Sequence, residues 1–140
     1  MSTKLLIAAT VLVAGAAVAG AATTSAQKAI QDHYAALARA TEPTFKDGDA
    51  ERGKALFQGR HIGGKAETPS CTTCHTSDLK KPGQTRAGKE IAPMAASLNP
   101  KRYTDPAEVE KWFKRNCSDV LGRECTAVEK SDVLSYLLSM

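Results

Sequence analysis

The chain has 140 residues and a formal charge of +4, with 42% apolar residues but only 5% aromatic. That length allows one compact domain and excludes a large self-sufficient core. Lysines and arginines are interleaved with acids throughout, so no nucleic-acid partner is expected, and the small positive surplus suits docking onto an acidic protein.

At the N-terminus, Lys4 precedes an alanine- and glycine-rich apolar run from Leu5 to Ala22, with Ala19, Ala21 and Ala26 as candidate cleavage sites. This pattern predicts a secretory signal over residues 1–22 and a mature chain in the periplasm. An uncleaved anchor is the alternative, and the weakly hydrophobic second half of the run argues against it. Cysteines in such a compartment can pair.

Residues 23–48 read as an N-terminal helical extension, with a helix over Ala26–Ala40 that places Ile30, His33, Tyr34 and Leu37 on one stripe. A second helix spans Asp49–Gly59. The motif "CTTCH" follows closely. From Thr76 to Arg102 the chain is rich in Lys, Pro, Gly and Thr, which predicts a long loop with a helical turn near "MAASL" and no convincing strand. Asp105 as N-cap, Pro106 and Glu108 open a third helix, in which Val109, Trp112, Phe113 and Asn116 form one stripe. Thr126 and Glu129 open a fourth, burying Val133, Leu134, Leu137 and Leu138.

The four cysteines split into two pairs. Cys71 and Cys74, spaced to meet two vinyl groups of one haem, and His75, placed to reach the iron, form the c-type haem signature. A redox-active pair would want a βαβ context, and a zinc site would want a second close pair. Cys117 and Cys125, flanking a turn at Gly122, are placed for a short-loop disulfide worth about 2 to 3 kcal/mol in the chain-entropy picture. The layout of helix, CxxCH, long loop and two C-terminal helices is that of an all-α, class I cytochrome c-like fold enclosing one covalent haem c over residues 49–140. The haem would supply apolar bulk that the chain lacks.

The second axial ligand decides the chemistry. Met94 would make a plain Met-ligated electron carrier. His33 lies on the first helix's apolar stripe, and His61, beside "IGG", is expected to be solvated. Asn116 competes with them as an inward-facing amide whose other reading is a helix-end hydrogen bond. Left unsatisfied in the interior, such an amide costs about 1 to 3 kcal/mol, and ferric iron would satisfy it.

"RGKALF", "TPSCTTCHTSD", "PGQTRAGKEIAP", "RYTDPAEVEKWFKRNC" and "LGRECTAVEKSDVLSYL" resemble the sphaeroides haem protein family of oxygen-binding cytochromes c, related to cytochrome c double-prime. The resemblance covers the chain from about Ala50 onward, in order. It implies covalent haem on Cys71 and Cys74, His75 as proximal ligand, Asn116 as distal ferric ligand and a Cys117–Cys125 disulfide. The double-prime branch has histidine at the distal position, and the position of Met94 is apolar rather than a ligand. It further implies that Asn116 dissociates on reduction, admitting oxygen, nitric oxide or carbon monoxide, with electrons from a dihaem cytochrome c and a membrane cytochrome b. An electron-transfer and ligand-binding role is expected ahead of a dedicated enzymatic one, since no general acid or substrate pocket is evident.

Overall fold

The computed structural model describes residues 22–140, so the expected export signal lies outside the described residues except for Ala22. Helix α1 (Ser25–Thr41) starts from a capping box in which the Thr24 hydroxyl accepts from Gln27 N and the Gln27 side chain accepts from Thr24 N. Its buried face runs through Gln27, Ile30, Tyr34, Ala35 and Ala38. His33 and Leu37 correct the stripe expected from sequence: both are exposed. The alanines explain the shift, because they let the helix lie close to its neighbour on an arc centred away from His33.

Helix α2 (Ala50–Gln58) is capped by Asp49, which accepts from Arg52 N at 2.9 Å. The Thr72–His75 turn is α3, and two-residue strands β1 (Gly83–Gln84) and β2 (Glu90–Ile91) pair antiparallel, Gly83 with Ile91 and Gln84 with Glu90. These strands interrupt the segment expected to be strandless; at two residues each they are too short to show a period-two pattern. The "MAASL" stretch does form a turn, with Asn99 N donating to Ala95 O at 3.2 Å.

Helix α4 (Pro106–Leu121) begins where the Asp105 side chain accepts from Ala107 N and Glu108 N, and ends at Gly122 with φ 70°, a left-handed cap. Helix α5 (Ala127–Leu138) repeats the capping box with Thr126 and Glu129. Ser131 to Leu137 are all buried, while Leu138 is only half-buried. The helix is buried all round because α1 and α2 both pack on it. The α2 crossing is close: a Cβ on Gly53 would lie 2.0 Å from Asp132 O. Asp132 itself is buried, accepting from Asp49 N at 2.7 Å and from Arg52 Nε and Nη2 at 2.8 Å.

Phe57, Leu79, Met94, Ala95, Val133, Tyr136 and Leu137 form the main core, and Ile30, Tyr34, Val109 and Leu134 a second cluster. Phe113 and Tyr103 border both. Among the long helices, the backbones of α1 and α2 lie closely against α5, whereas α4 meets its neighbours mainly through the side chains of Val109 and Phe113. No described helix is long and apolar enough to cross a membrane.

Candidate functional site

The CTTCH segment is built as a turn held from both ends. Ser70 Oγ donates to Phe57 O at 3.2 Å and accepts from Thr72 N at 3.2 Å, tying the entry to α2. His75 N donates to Cys71 O at 3.1 Å, closing one helical turn that brings Cys71, Cys74 and His75 together. Thr76, with φ 62°, ends it. The β1 strand presses on its back: a Cβ at Gly83 would lie 2.0 Å from Cys74 O, so only glycine fits there.

Cys71 and Cys74 are half-buried and not joined to each other. Burial pushes the Cys71 thiol up to about 11. The His75 ring sits 6.0 Å from the Phe57 ring, and its Nδ1 is fully buried with no hydrogen-bond partner among the described residues. Burial first, and then the positive charge of Arg102, push its pKa down to about 4, so the imidazole is neutral with a lone pair to give. Sequence reasoning did not single out Arg102, whose guanidinium donates from Nε to Pro93 O at 2.8 Å and from Nη2 to Ala92 O at 2.7 Å.

On α4, Asn116 is half-buried, and its side chain hydrogen-bonds to no other described residue. The helix continues more than a turn beyond it to Leu121, so it is not a helix-end cap. Phe113, one turn earlier, packs against the same core cluster as Cys71, so α4 and the CTTCH turn border one apolar body. Trp112 departs from the expected inward stripe and is 45% exposed. The fully buried face of α4 is Val109, Cys117 and Val120, and Trp112 lies to one side of it. Cys117 and Cys125 are bonded, with Cα atoms 5.6 Å apart.

The other ligand candidates are placed elsewhere. Met94 lies inside the main core, with Tyr103 Oη donating to its carbonyl at 2.7 Å and lying 4.0 Å from its sulfur. His33 is on the outer side of α1, its ring edge-on to Tyr34. His61 is not simply solvated, as expected, but half-buried, its Nε2 2.9 Å from Leu56 O. Among the described residues no group of three His, Cys, Asp or Glu side chains converges as for a bare metal ion.

The residues present fit a haem. An uncommitted buried imidazole stands beside two unjoined thiols, and the core next to them is bordered by half-buried Leu56, Ile91, Tyr103 and Phe113. On α4, which borders the same core, Asn116 is half-buried. A flat apolar group with a central metal matches that combination of donors and rim.

Comparisons with known proteins agree. Residues 43–137 match a family described as a domain of unknown function, DUF1924. Over 89 residues the chain is 61% identical to the cytochrome c-type protein SHP of Cereibacter sphaeroides, covering 64% of this chain and 69% of that one. The solved structure of oxidised SHP, described as an oxygen-binding cytochrome c, superposes with a TM-score of 0.75 at 50% identity, covering 81% of this chain and 96% of the other. The chain belongs to the SHP family of c-type cytochromes. Oxidised cytochrome c'' of Methylophilus methylotrophus is a more distant relative, with a TM-score of 0.71 at 30% identity over 82% of this chain and 94% of that one. The all-α cytochrome fold expected from sequence is thereby established, and haem c is the cofactor that SHP family membership implies.

Proposed function

We propose that this protein is an exported, periplasmic monohaem cytochrome in which reduction opens the distal side to a diatomic ligand such as oxygen, nitric oxide or carbon monoxide. The observation that carries the reading is the Asn116 amide, uncommitted to any described residue and mounted on a helix that borders the same apolar body as the CTTCH turn. Haem, when bound, would supply a redox-active iron able to carry one electron. Cys71 and Cys74 hold the group by adding across its vinyl substituents: each sulfur gains a bond to carbon while the thiol hydrogen passes to the adjacent vinyl carbon. His75 presents its neutral imidazole from the proximal side, and Phe57 and the β1 strand keep that side fixed.

Asn116 offers an amide oxygen, a hard and weak donor that suits ferric iron and holds ferrous iron poorly. With ferrous iron the Asn116 oxygen would be a poor donor, and its amide N–H would be available to donate a hydrogen bond to a diatomic held on that side. A plain carrier with Met94 as ligand is disfavoured by the place of Met94 within the core, beside Tyr103. SHP is described as oxygen-binding, which supports the same choice. The electron donors proposed are a dihaem cytochrome c and a membrane cytochrome b.

Absorption spectra of the oxidised and reduced protein, with and without carbon monoxide, test the reading. Five-coordinate ferrous protein that takes up carbon monoxide rapidly is expected. A six-coordinate ferrous spectrum indifferent to carbon monoxide would overturn it. Retention of colour through acid-acetone extraction checks the thioether bonds.

A further inference from the structure

Helix α4 carries the proposed distal residue, yet its backbone lies less closely against α5 than those of α1 and α2 do, so other ties help to fix where Asn116 stands. Besides the disulfide, the strongest tie is the loop between α2 and the CTTCH turn. A Cβ on Gly63 would lie 2.3 Å from Leu121 O, and one on Gly64 would lie 2.2 Å from Asp119 O and 2.5 Å from Val120 C. Gly122 faces them from the helix end, where a Cβ would meet Gly63 O at 2.0 Å. The contact is backbone on backbone, and a methyl group anywhere in it forces the last turn of α4 outward.

The polar groups lock the same junction. Lys65 N donates to Asp119 O at 2.7 Å and the buried Thr68 Oγ1 donates to the same carbonyl at 3.0 Å, satisfying a last-turn acceptor that has no partner within its own helix. Lys65 Nζ ion-pairs Asp119 Oδ1 at 2.6 Å, placing a cation at the negative end of the helix dipole. The loop is itself closed by His61 N donating to Pro69 O at 2.6 Å, and it runs through Ser70 directly into Cys71. Asp119 lies three residues after Asn116, on the neighbouring turn.

We propose that Gly63, Gly64, Lys65 and Thr68 are positioning residues for Asn116: they clamp the C-terminal turn of α4 to the haem-attachment segment and so set how firmly the amide reaches ferric iron. This rests on the function proposed above. An axial bond tolerates little misplacement, and a shift on the scale of one methyl group is enough to weaken a donor as poor as an amide.

The test uses the full-length, haem-loaded ferric protein, with azide as the displacing ligand and electron paramagnetic resonance to read the spin state. Gly64→Ala is expected to speed azide binding by about tenfold or more and to move the ferric spectrum toward that of Asn116→Ala. Thr68→Val keeps shape but loses one hydrogen bond, and about a fivefold change in the same direction is expected, restored by Thr68→Ser. Gly53→Ala is the control, since its clash is with α5 rather than α4; it should lower the unfolding midpoint and leave azide binding and spin state unchanged. If Gly64→Ala does not fold, Thr68→Val and its serine rescue decide alone. Unchanged azide kinetics in the clamp variants, or an equal change in Gly53→Ala, overturns the clamp while an altered Asn116→Ala leaves the distal-ligand reading standing. An Asn116→Ala protein indistinguishable from wild type overturns that reading and the clamp with it.

Discussion

Asn116 could be singled out from the sequence because an amide on an otherwise apolar helical stripe is an exception that packing alone does not explain, and the structure leaves that amide without a partner among the described residues. Replacing it with histidine should give a low-spin ferric protein with a slower response to carbon monoxide, since imidazole is a stronger-field donor. Asn116→Ala should leave the ferric iron high-spin. Met94→Leu, a near volume-conserving change within the core, should cost less than about 1.5 kcal/mol and leave both spectra unaltered. Ferric spin state measured on the three variants checks this, and a Met94→Leu protein that turns high-spin while Asn116→Ala stays unchanged would reinstate the carrier reading. Arg102 was not legible in the same way. Its charge bears on His75 only through the fold, and its hydrogen bonds to the Ala92 and Pro93 carbonyls are ones that no local spacing announces.

Elements were legible where their ends carry side-chain chemistry. Asp105 and Thr126 each cap the helix that the sequence assigned to them, because capping is a local exchange of hydrogen bonds, while Asp49, read as the first residue of the second helix, is its cap. Which face of a helix turns inward depends on the neighbour, and there His33, Leu37 and Trp112 were misplaced. The Thr24 cap bears on processing: cleavage at Ala26 would remove it, at a cost of about 1 kcal/mol in helix stability. Terminal sequencing of exported protein is expected to find a mature chain that retains Thr24, and a chain beginning at Gln27 would contradict this. A polar knot joins α1, α4 and α5 on the far side: Tyr34 Oη donates to Glu110 Oε2 at 2.8 Å, and Lys130 Nζ donates to both Glu110 oxygens at 2.7 and 2.9 Å. Burial opposes ionisation of Glu110, but the donors Lys130 and Tyr34 outweigh it and hold the carboxyl below 4.5. A lowered folded-state pKa means that the contribution is complete above the unfolded value and is lost as pH falls through the lowered one. The difference in urea midpoint between wild type and Glu110→Gln should therefore be constant above about pH 5 and shrink below it; a difference that grows on acidification would refute the knot.

At the scale of the whole molecule the chain divides by what holds it. Helices α1 and α2 each pack directly on α5, α1 through Ile30, Tyr34 and Leu134 and α2 through Phe57, Val133, Tyr136 and Leu137. Helix α4 is held instead by side-chain contacts of Val109 and Phe113, by the Glu110 knot, by the disulfide and by the glycine loop, and the segment from Thr76 to Thr104 spans the gap between α3 and α4 with little regular structure. If Asn116 meets the haem as proposed, the bound haem is a further packing surface for α4, and the stability of that helix should depend on it far more than the stability of the other three. A Cys71→Ala, Cys74→Ala, His75→Ala chain, which has lost its means of holding haem, is therefore expected to keep α1, α2 and α5 associated while α4 and the preceding segment open. Limited proteolysis followed by mass spectrometry should find first cuts between residues 76 and 121, at least about tenfold faster than in the haem-loaded protein, with the fragments containing residues 25–58 and 127–138 persisting. Hydrogen exchange should give the same order of protection. First cuts distributed evenly over all four long helices would show instead that the haem supports the molecule as a single cooperative unit, and that the direct packing of α1 and α2 on α5 is too weak to stand without it.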